Sequence, residues 1–248
     1  MESFSFFVAH GCPGKKVDKV QVFGSLKKWV EQCPATVDRC GGKNGKLVKF
    51  NEKKYVSGLQ SGGSEDVSLY SERIWDKGEV DEFLNCDFSA GYSSGEELLL
   101  SSNGSKLDLQ GMVKSVWNLE ELVGICDYAY AYNETQAFGF GYGIGVSMLD
   151  DEHPLLWEGH ARVGMWRKMQ WAGKTDELIR DVYPYNMFSS RKIEALPLEK
   201  RQALVQAMER FGESTVQDSF SVWRLGSADI DKARDYLVGF NLLASYLE

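Results

Sequence analysis

The sequence predicts an α+β fold, a mixed or antiparallel sheet with helices packed on it, and three observations carry that expectation. Runs in which apolar side chains alternate every second residue stand beside runs in which they recur every third or fourth residue. The two kinds are interspersed along the chain without an internal repeat, and Gly and Pro punctuate the junctions. A chain of 248 residues with 43% hydrophobic content has the material for a well-filled core. It reads as one domain, 1–248, with a division into a β-rich lobe at 1–105 and an α+β lobe at 106–248 left open.

Taken in order, Ser3 to Ala9 (SFSFFVA) is aromatic and reads as an opening strand, stopped by Gly11-Cys12-Pro13-Gly14. Val22, Leu26, Trp29 and Val30 have helical spacing, and Pro34 ends that element. A basic stretch follows from Arg39 to Lys54, in which Asn44-Gly45 signals a hairpin between two short strands. Residues 55–105 are polar and rich in Ser and Gly, with strand-like runs at Val67–Tyr70 and Leu98–Leu100 that suggest a meander. Met112, Val116, Leu119 and Val123 then share one face of a helix running from Leu109 to Ile125.

Immediately afterwards the period changes, because Tyr128, Tyr130 and Tyr132 alternate with Ala129 and Ala131 as a strand would. Phe138 to Val146 (FGFGYGIGV) keeps that rhythm and reads as a further strand whose glycines lie under another backbone. The competing reading, a phosphate-cradling glycine loop, lacks the helix that should open behind it. In the last third, Asp181 to Phe188 is extended around Pro184. Pro197 opens a helix with a stripe at Leu204, Met208 and Phe211, and Gly212 closes it. Ser219 to Leu225 alternates as a strand, and Ser227 caps a final helix that buries Ile230, Ala233, Leu237, Phe240 and Leu243 or Leu247. The chain therefore closes as strand, helix, strand, helix.

Charge is distributed unevenly. Residues 61–160 hold nineteen acids against four bases, a net of −15, whereas the first sixty residues net +6 and the last eighty-eight +1. A concentrated negative field attracts cationic partners and speeds their encounter. It also argues against nucleic acid, whose phosphates demand the opposite sign. Five cysteines at irregular spacing and no leader-like segment suggest a reduced, cytoplasmic protein. No apolar run reaches the roughly 20 residues of a membrane span, so no membrane association is expected.

Catalytic chemistry finds little support. His10, His153 and His160 complete no ligand set of recognised spacing, so neither a metal nor another cofactor is expected. Cys12 stands near His10, but a Gly-Cys-Pro-Gly turn offers no helix N-terminus to activate a thiol. There is no Gly-x-Ser-x-Gly elbow, no Walker motif and no Cys-x-x-Cys pair. Adjacent acids such as Glu96-Glu97 read as solvated surface and do not by themselves make a glycosidase. Trp157, Trp166 and Trp171, interleaved with Arg162, Arg167 and Lys168, read as core and rim residues, with a partner-binding or self-associating surface as the alternative.

One resemblance bears on function. The run Arg180-Asp181-Val182-Tyr183-Pro184-Tyr185-Asn186, the following helix, the strand around Val222-Trp223-Arg224 and the closing Asn241-Leu242-Leu243 resemble the tail of bacterial immunity proteins. Those proteins are encoded beside polymorphic or type VI secretion toxins, and the junction at Cys126 to Tyr132 is similar too. The resemblance implies a protein that binds a cognate toxin and occludes its active site. On that expectation Glu65, Asp66, Asp76, Glu79, Asp81, Glu82, Asp150, Asp151 and Glu152 form a rim facing a basic toxin surface, with Trp75, Phe83 or Trp157 as apolar anchors. An enzyme for a small cationic or nucleotide-like substrate, and an adaptor that associates with itself, are the alternatives.

Overall fold

The structure is a computed structural model that describes residues 2–11, 17–33, 35–42, 47–62, 66–72, 86–93, 97–117, 119, 126–144 and 164–247. It is an α+β fold with helices packed on antiparallel sheet. The chain forms two compact units, one comprising residues 1–126 with 133–136 and the other 127–132 with 137–248.

The first unit is built on β1 (Phe4–Gly11), β2 (Arg39–Gly41), β3 (Leu47–Lys49), β4 (Val67–Glu72), β5 (Cys86–Ser93) and β6 (Glu97–Asn103). Their order across the sheet is β3-β2-β4-β5-β6-β1, and every neighbouring pair in it is antiparallel. β6 is buried along its whole length, as is β1 from Phe4 to Ala9, because side chains of both faces are covered. Three helices accompany these strands: α1 (Lys19–Gln32), α2 (Glu52–Gln60) and α3 (Leu109–Trp117). α1 starts where Asp18 accepts a hydrogen bond from the Val20 amide at 2.8 Å, and it buries Val22, Phe23, Leu26, Trp29 and Val30 along one stripe. Trp29 meets the Phe88 ring edge-on and donates its indole N–H to Ser115 of α3 at 2.8 Å.

α2 replaces part of the polar meander expected after residue 54. Asn51 caps it by accepting from the Lys54 amide, and Tyr55 and Leu59, one turn apart, are its buried residues. The hairpin strands β2 and β3 fall where the Asn44-Gly45 signal placed them, with residues 43–46 themselves outside the described set. α3 begins at Leu109 as expected and its described helical residues end at Trp117; residues 120–125 lie outside the described set.

The second unit contains residues 127–132 of β7 (Cys126–Glu134), with β8 (Tyr185–Ser189), β9 (Glu213–Gln217) and β10 (Phe220–Arg224), in the order β7-β8-β10-β9 and again antiparallel throughout. Its helices are α4 (Gln136–Ile144), α5 (164–171), α6 (Ser190–Ala195), α7 (Leu198–Arg210) and α8 (Ser227–Val238). Three expectations need correction here. The Phe138–Val146 strand is instead helix α4, described to Ile144. Ser227 is the first helical residue of α8, and Gly226 occupies the cap position. The closing order also gains two elements, α6 before α7 and the edge strand β9 before β10. Pro197 at the cap of α7 and Gly212 just beyond its end, at φ +69°, stand as the sequence indicates. No described helix is long and apolar enough to cross a membrane.

Candidate functional site

Of the twelve residues assigned to a partner-facing rim and its anchors, Asp66 is the one the structure describes, and it is exposed immediately before β4. Glu65, Trp75, Asp76, Glu79, Asp81, Glu82, Asp150, Asp151, Glu152 and Trp157 lie outside the described residues, as do Phe83, Cys12, His153 and His160. Four other acids of the 61–160 segment have structural duties. Asp108 caps α3 by accepting from the Gly111 amide at 2.7 Å, and Asp87 accepts from the Asn103 side chain at 3.1 Å. Glu97 is buried with Oε1 3.3 Å from Nδ1 of His10. Asp127, buried as well, takes a two-point ion pair from Arg191 and a hydrogen bond from the Ser189 hydroxyl. The charge excess read from the sequence therefore overstates the charge left for partners.

Among the described residues, a dense cluster of polar groups lies inside the second unit. Arg180 is fully buried. Its guanidinium donates to the Tyr130 hydroxyl at 2.5 Å, to the Gly143 carbonyl at 3.1 Å and to the Tyr142 carbonyl. Its backbone N–H reaches the Tyr128 hydroxyl at 3.2 Å. Around it Tyr130 stacks on Tyr183 with centroids 4.2 Å apart, Tyr128 stacks on Phe188, and the hydroxyls of Tyr142 and Tyr183 are 2.6 Å apart. The alternation of Tyr128, Tyr130 and Tyr132 in β7 makes this possible, by putting three phenol rings on one side of one strand.

Burial pushes the Tyr128, Tyr142 and Tyr183 phenols above their ordinary range, so they stay neutral in neutral solution. Burial also works against the Arg180 charge, but the surrounding tyrosine oxygens outweigh it and the guanidinium keeps its proton. None of these four groups exchanges a proton near pH 7. The cage is thus suited to holding shape and poorly suited to general acid or base catalysis.

A second cluster adjoins β8. The N-terminus of α6 places Lys192 so that its ammonium donates to the Thr175 and Leu178 carbonyls and lies 5.7 Å from the Tyr128 ring centroid. Burial lowers this lysine to about 8, against the opposing pull of Asp127 and Asp176. It is closer to neutrality than an ordinary lysine, yet it is only 2% exposed and its donors point at carbonyls, so no substrate reaches it. Nearby, Asp181 accepts from Nε of Arg234 at 2.9 Å and from the Val182 amide at 2.7 Å, which fixes the start of the extended run before β8. Sequence reasoning passed over Arg180 and Lys192 as chemistry. The tyrosine alternation signalled the first, and nothing local signalled the second.

The described cysteines are free, and burial raises the Cys33 thiol to about 11 and the Cys40 thiol above its ordinary value, which keeps both protonated and unreactive. Among the described residues no group of three or more His, Cys, Asp or Glu side chains is placed to hold a metal ion. Comparison of the chain with protein-family models, with curated proteins and with solved structures finds no match.

Proposed function

We propose that this chain is an immunity-type binding protein of a bacterial secretion-toxin system, which neutralises a cognate toxin in the cytoplasm by occluding its active site. The observation that carries the reading is the net charge of −15 over residues 61–160, against +6 and +1 in the flanking segments. Even after Glu97 and Asp127 are set aside as buried and partnered, most of that excess remains to attract a basic toxin surface. The buried centre of the second unit supports the reading from another side. Its tyrosines and arginine are locked into one another and stay in one protonation state, as a rigid scaffold for recognition requires.

The test is capture from native cells with the tagged full chain at about 0.15 M salt, where exposed charges more than roughly 8 Å apart are largely screened. The expected result is a stoichiometric basic protein encoded next to this gene. Capture of nothing, in cells that express the neighbouring gene, overturns the proposal. With the partner in hand, replacing Asp150, Asp151 and Glu152 by Lys is expected to slow association and flatten its salt dependence. Unchanged association rates would remove that loop from the interface.

A further inference from the structure

In the first unit, a groove of about 390 Å³ opens between the β2–β3 hairpin and α2, within the range of small-molecule sites. Its floor is apolar: Cys40, Tyr55 and Leu59 are buried there, and Val48, 44% exposed, forms one wall. Tyr55 is fixed in place because its hydroxyl accepts from the Ser68 amide at 2.9 Å and its ring packs against Phe23 and Phe50, so it lines the groove as a rigid, nearly buried surface. Lys49 and Lys54 stand exposed among the lining residues, and among the described residues no carboxylate joins them in that lining.

Gly58 is the telling residue. It sits inside a nine-residue helix, where glycine costs up to about 1 kcal/mol relative to alanine, so its presence calls for a reason. The usual reasons are missing. A Cβ added there meets no atom within 4 Å, and the backbone is not in the left-handed region. Gly41, across the groove, is different, because a Cβ there would run into the Ser68 side chain. Gly58 lines the groove, and the space beside it is open.

We propose that this groove is a binding site for a small organic anion with an apolar body, such as a medium-chain carboxylate, whose chain lies over Tyr55 and Leu59 and whose charged end meets Lys49 and Lys54. The apolar floor gains from covering a hydrocarbon, and the two ammonium groups select an anionic over a cationic headgroup. Burial raises the Cys40 thiol and keeps it neutral, consistent with the floor being apolar. The site is independent of toxin binding and stands or falls separately from it.

The test is calorimetric titration of the full chain with monomeric sodium decanoate, beside decyltrimethylammonium and decanol. Saturable binding of one decanoate per chain is expected, with the cationic analogue at least about tenfold weaker. Gly58→Leu, which fills the groove without meeting a neighbour, is expected to abolish binding while melting no lower than the parent chain. Replacing Lys49 and Lys54 by Ser is expected to erase the preference for decanoate over decanol. Amide chemical-shift changes on adding decanoate map the site without any substitution and are expected around Cys40, Val48, Tyr55 and Leu59. The proposal is overturned if decanoate does not saturate, if a folded Gly58→Leu variant binds as before, if shifts centre elsewhere, or if only decanoate-containing vesicles bind.

Discussion

The guanidinium carbon of Arg180 lies 4.0 Å from the centroid of the Tyr142 ring, and the carbonyl of the same Tyr142 accepts a hydrogen bond from that guanidinium. Tyr142 and Gly143 belong to α4, and both of their carbonyls accept from the same guanidinium. Two backbone carbonyls of α4 and a phenol hydroxyl thus do for Arg180 what a carboxylate does for Arg191 and Arg234.

Removing the charge should therefore expose how much depends on it. Arg180→Ala leaves the Tyr130 hydroxyl and the Tyr142 and Gly143 carbonyls without this donor in a dry interior, and should lower stability by about 3–5 kcal/mol. Arg180→Lys should recover only a minor part, since a single ammonium cannot reach all three acceptors from one position. Denaturant midpoints of the three proteins decide the matter, and a lysine variant as stable as the parent would show that charge alone suffices.

Lys192 should leave a signature in the pH dependence of stability. Its pKa in the folded chain is about 8, below the 10.5 of an unfolded lysine, so between these values the unfolded chain binds more protons. Stability from this group is accordingly lowest below pH 8 and rises as pH climbs from 8 towards 10.5, by on the order of 3 kcal/mol at most. Asp127, Asp176 and Arg191 are the charged groups facing it, and its hydrogen bonds to two carbonyls favour the charged form and limit the rise. The buried Cys33 thiol works with the opposite sign above pH 9, so the comparison is between the parent chain and Lys192→Met. The difference in unfolding free energy between the two should grow with pH over that window; a constant difference would mean that Lys192 is held charged throughout.

Trp223 offers a local test of how β10 is tied to α7. The indole N–H donates to the Phe211 carbonyl at 2.7 Å, at the C-terminal cap of the helix, while the ring is fully buried. Trp223→Phe should cost about 1–3 kcal/mol through the orphaned carbonyl and the unfilled volume. Thermal melts would measure it.

How far the fold was legible follows the same physics. α1, α3 and β7 were readable because a single periodic stripe of apolar side chains both predicts and stabilises each of them, whereas of the stripe read for α7 Leu204 is buried, Met208 and Phe211 are half-buried, and Ala203 and Ala207 complete the buried face. The Phe-Gly alternation of α4 misled because its period is that of a strand, while what decides its conformation lies elsewhere in the sequence. The Tyr142 and Gly143 carbonyls accept from Arg180, the Gly139 carbonyl accepts from the Tyr132 hydroxyl at 2.7 Å, and Gly139, Gly141 and Gly143 are buried. β9 was invisible for the opposite reason. All five of its residues are exposed, so pairing with β10 through a turn with Asp218 at φ +53° makes it a strand without any hydrophobic pattern. α2 could have been found, since Asn51 as cap and the Tyr55–Leu59 spacing were both present, but Gly58 broke the run of helix formers. Charge composition located a segment but said nothing about which of its acids, like Glu97 and Asp127, the fold consumes; of the partner-facing residues named from sequence, Asp66 is the one among the described residues.

Two glycines separate conformational need from open space, and substituting alanine at each gives opposite expectations. Gly212 sits at φ +69°, where an L side chain costs about 1–2 kcal/mol, and its added Cβ would also run into the Arg224 carbonyl of β10. Gly212→Ala should therefore destabilise by more than the conformational cost alone, because backbone cannot swing aside as a flexible side chain can. Gly58→Ala meets no obstacle and removes unfolded-state freedom from a helix interior, so it should stabilise by up to about 1 kcal/mol. Paired thermal melts suffice to compare them. A Gly58→Ala variant less stable than its parent would mean that the helix needs glycine for its own sake, and the open groove beside it would lose its explanation.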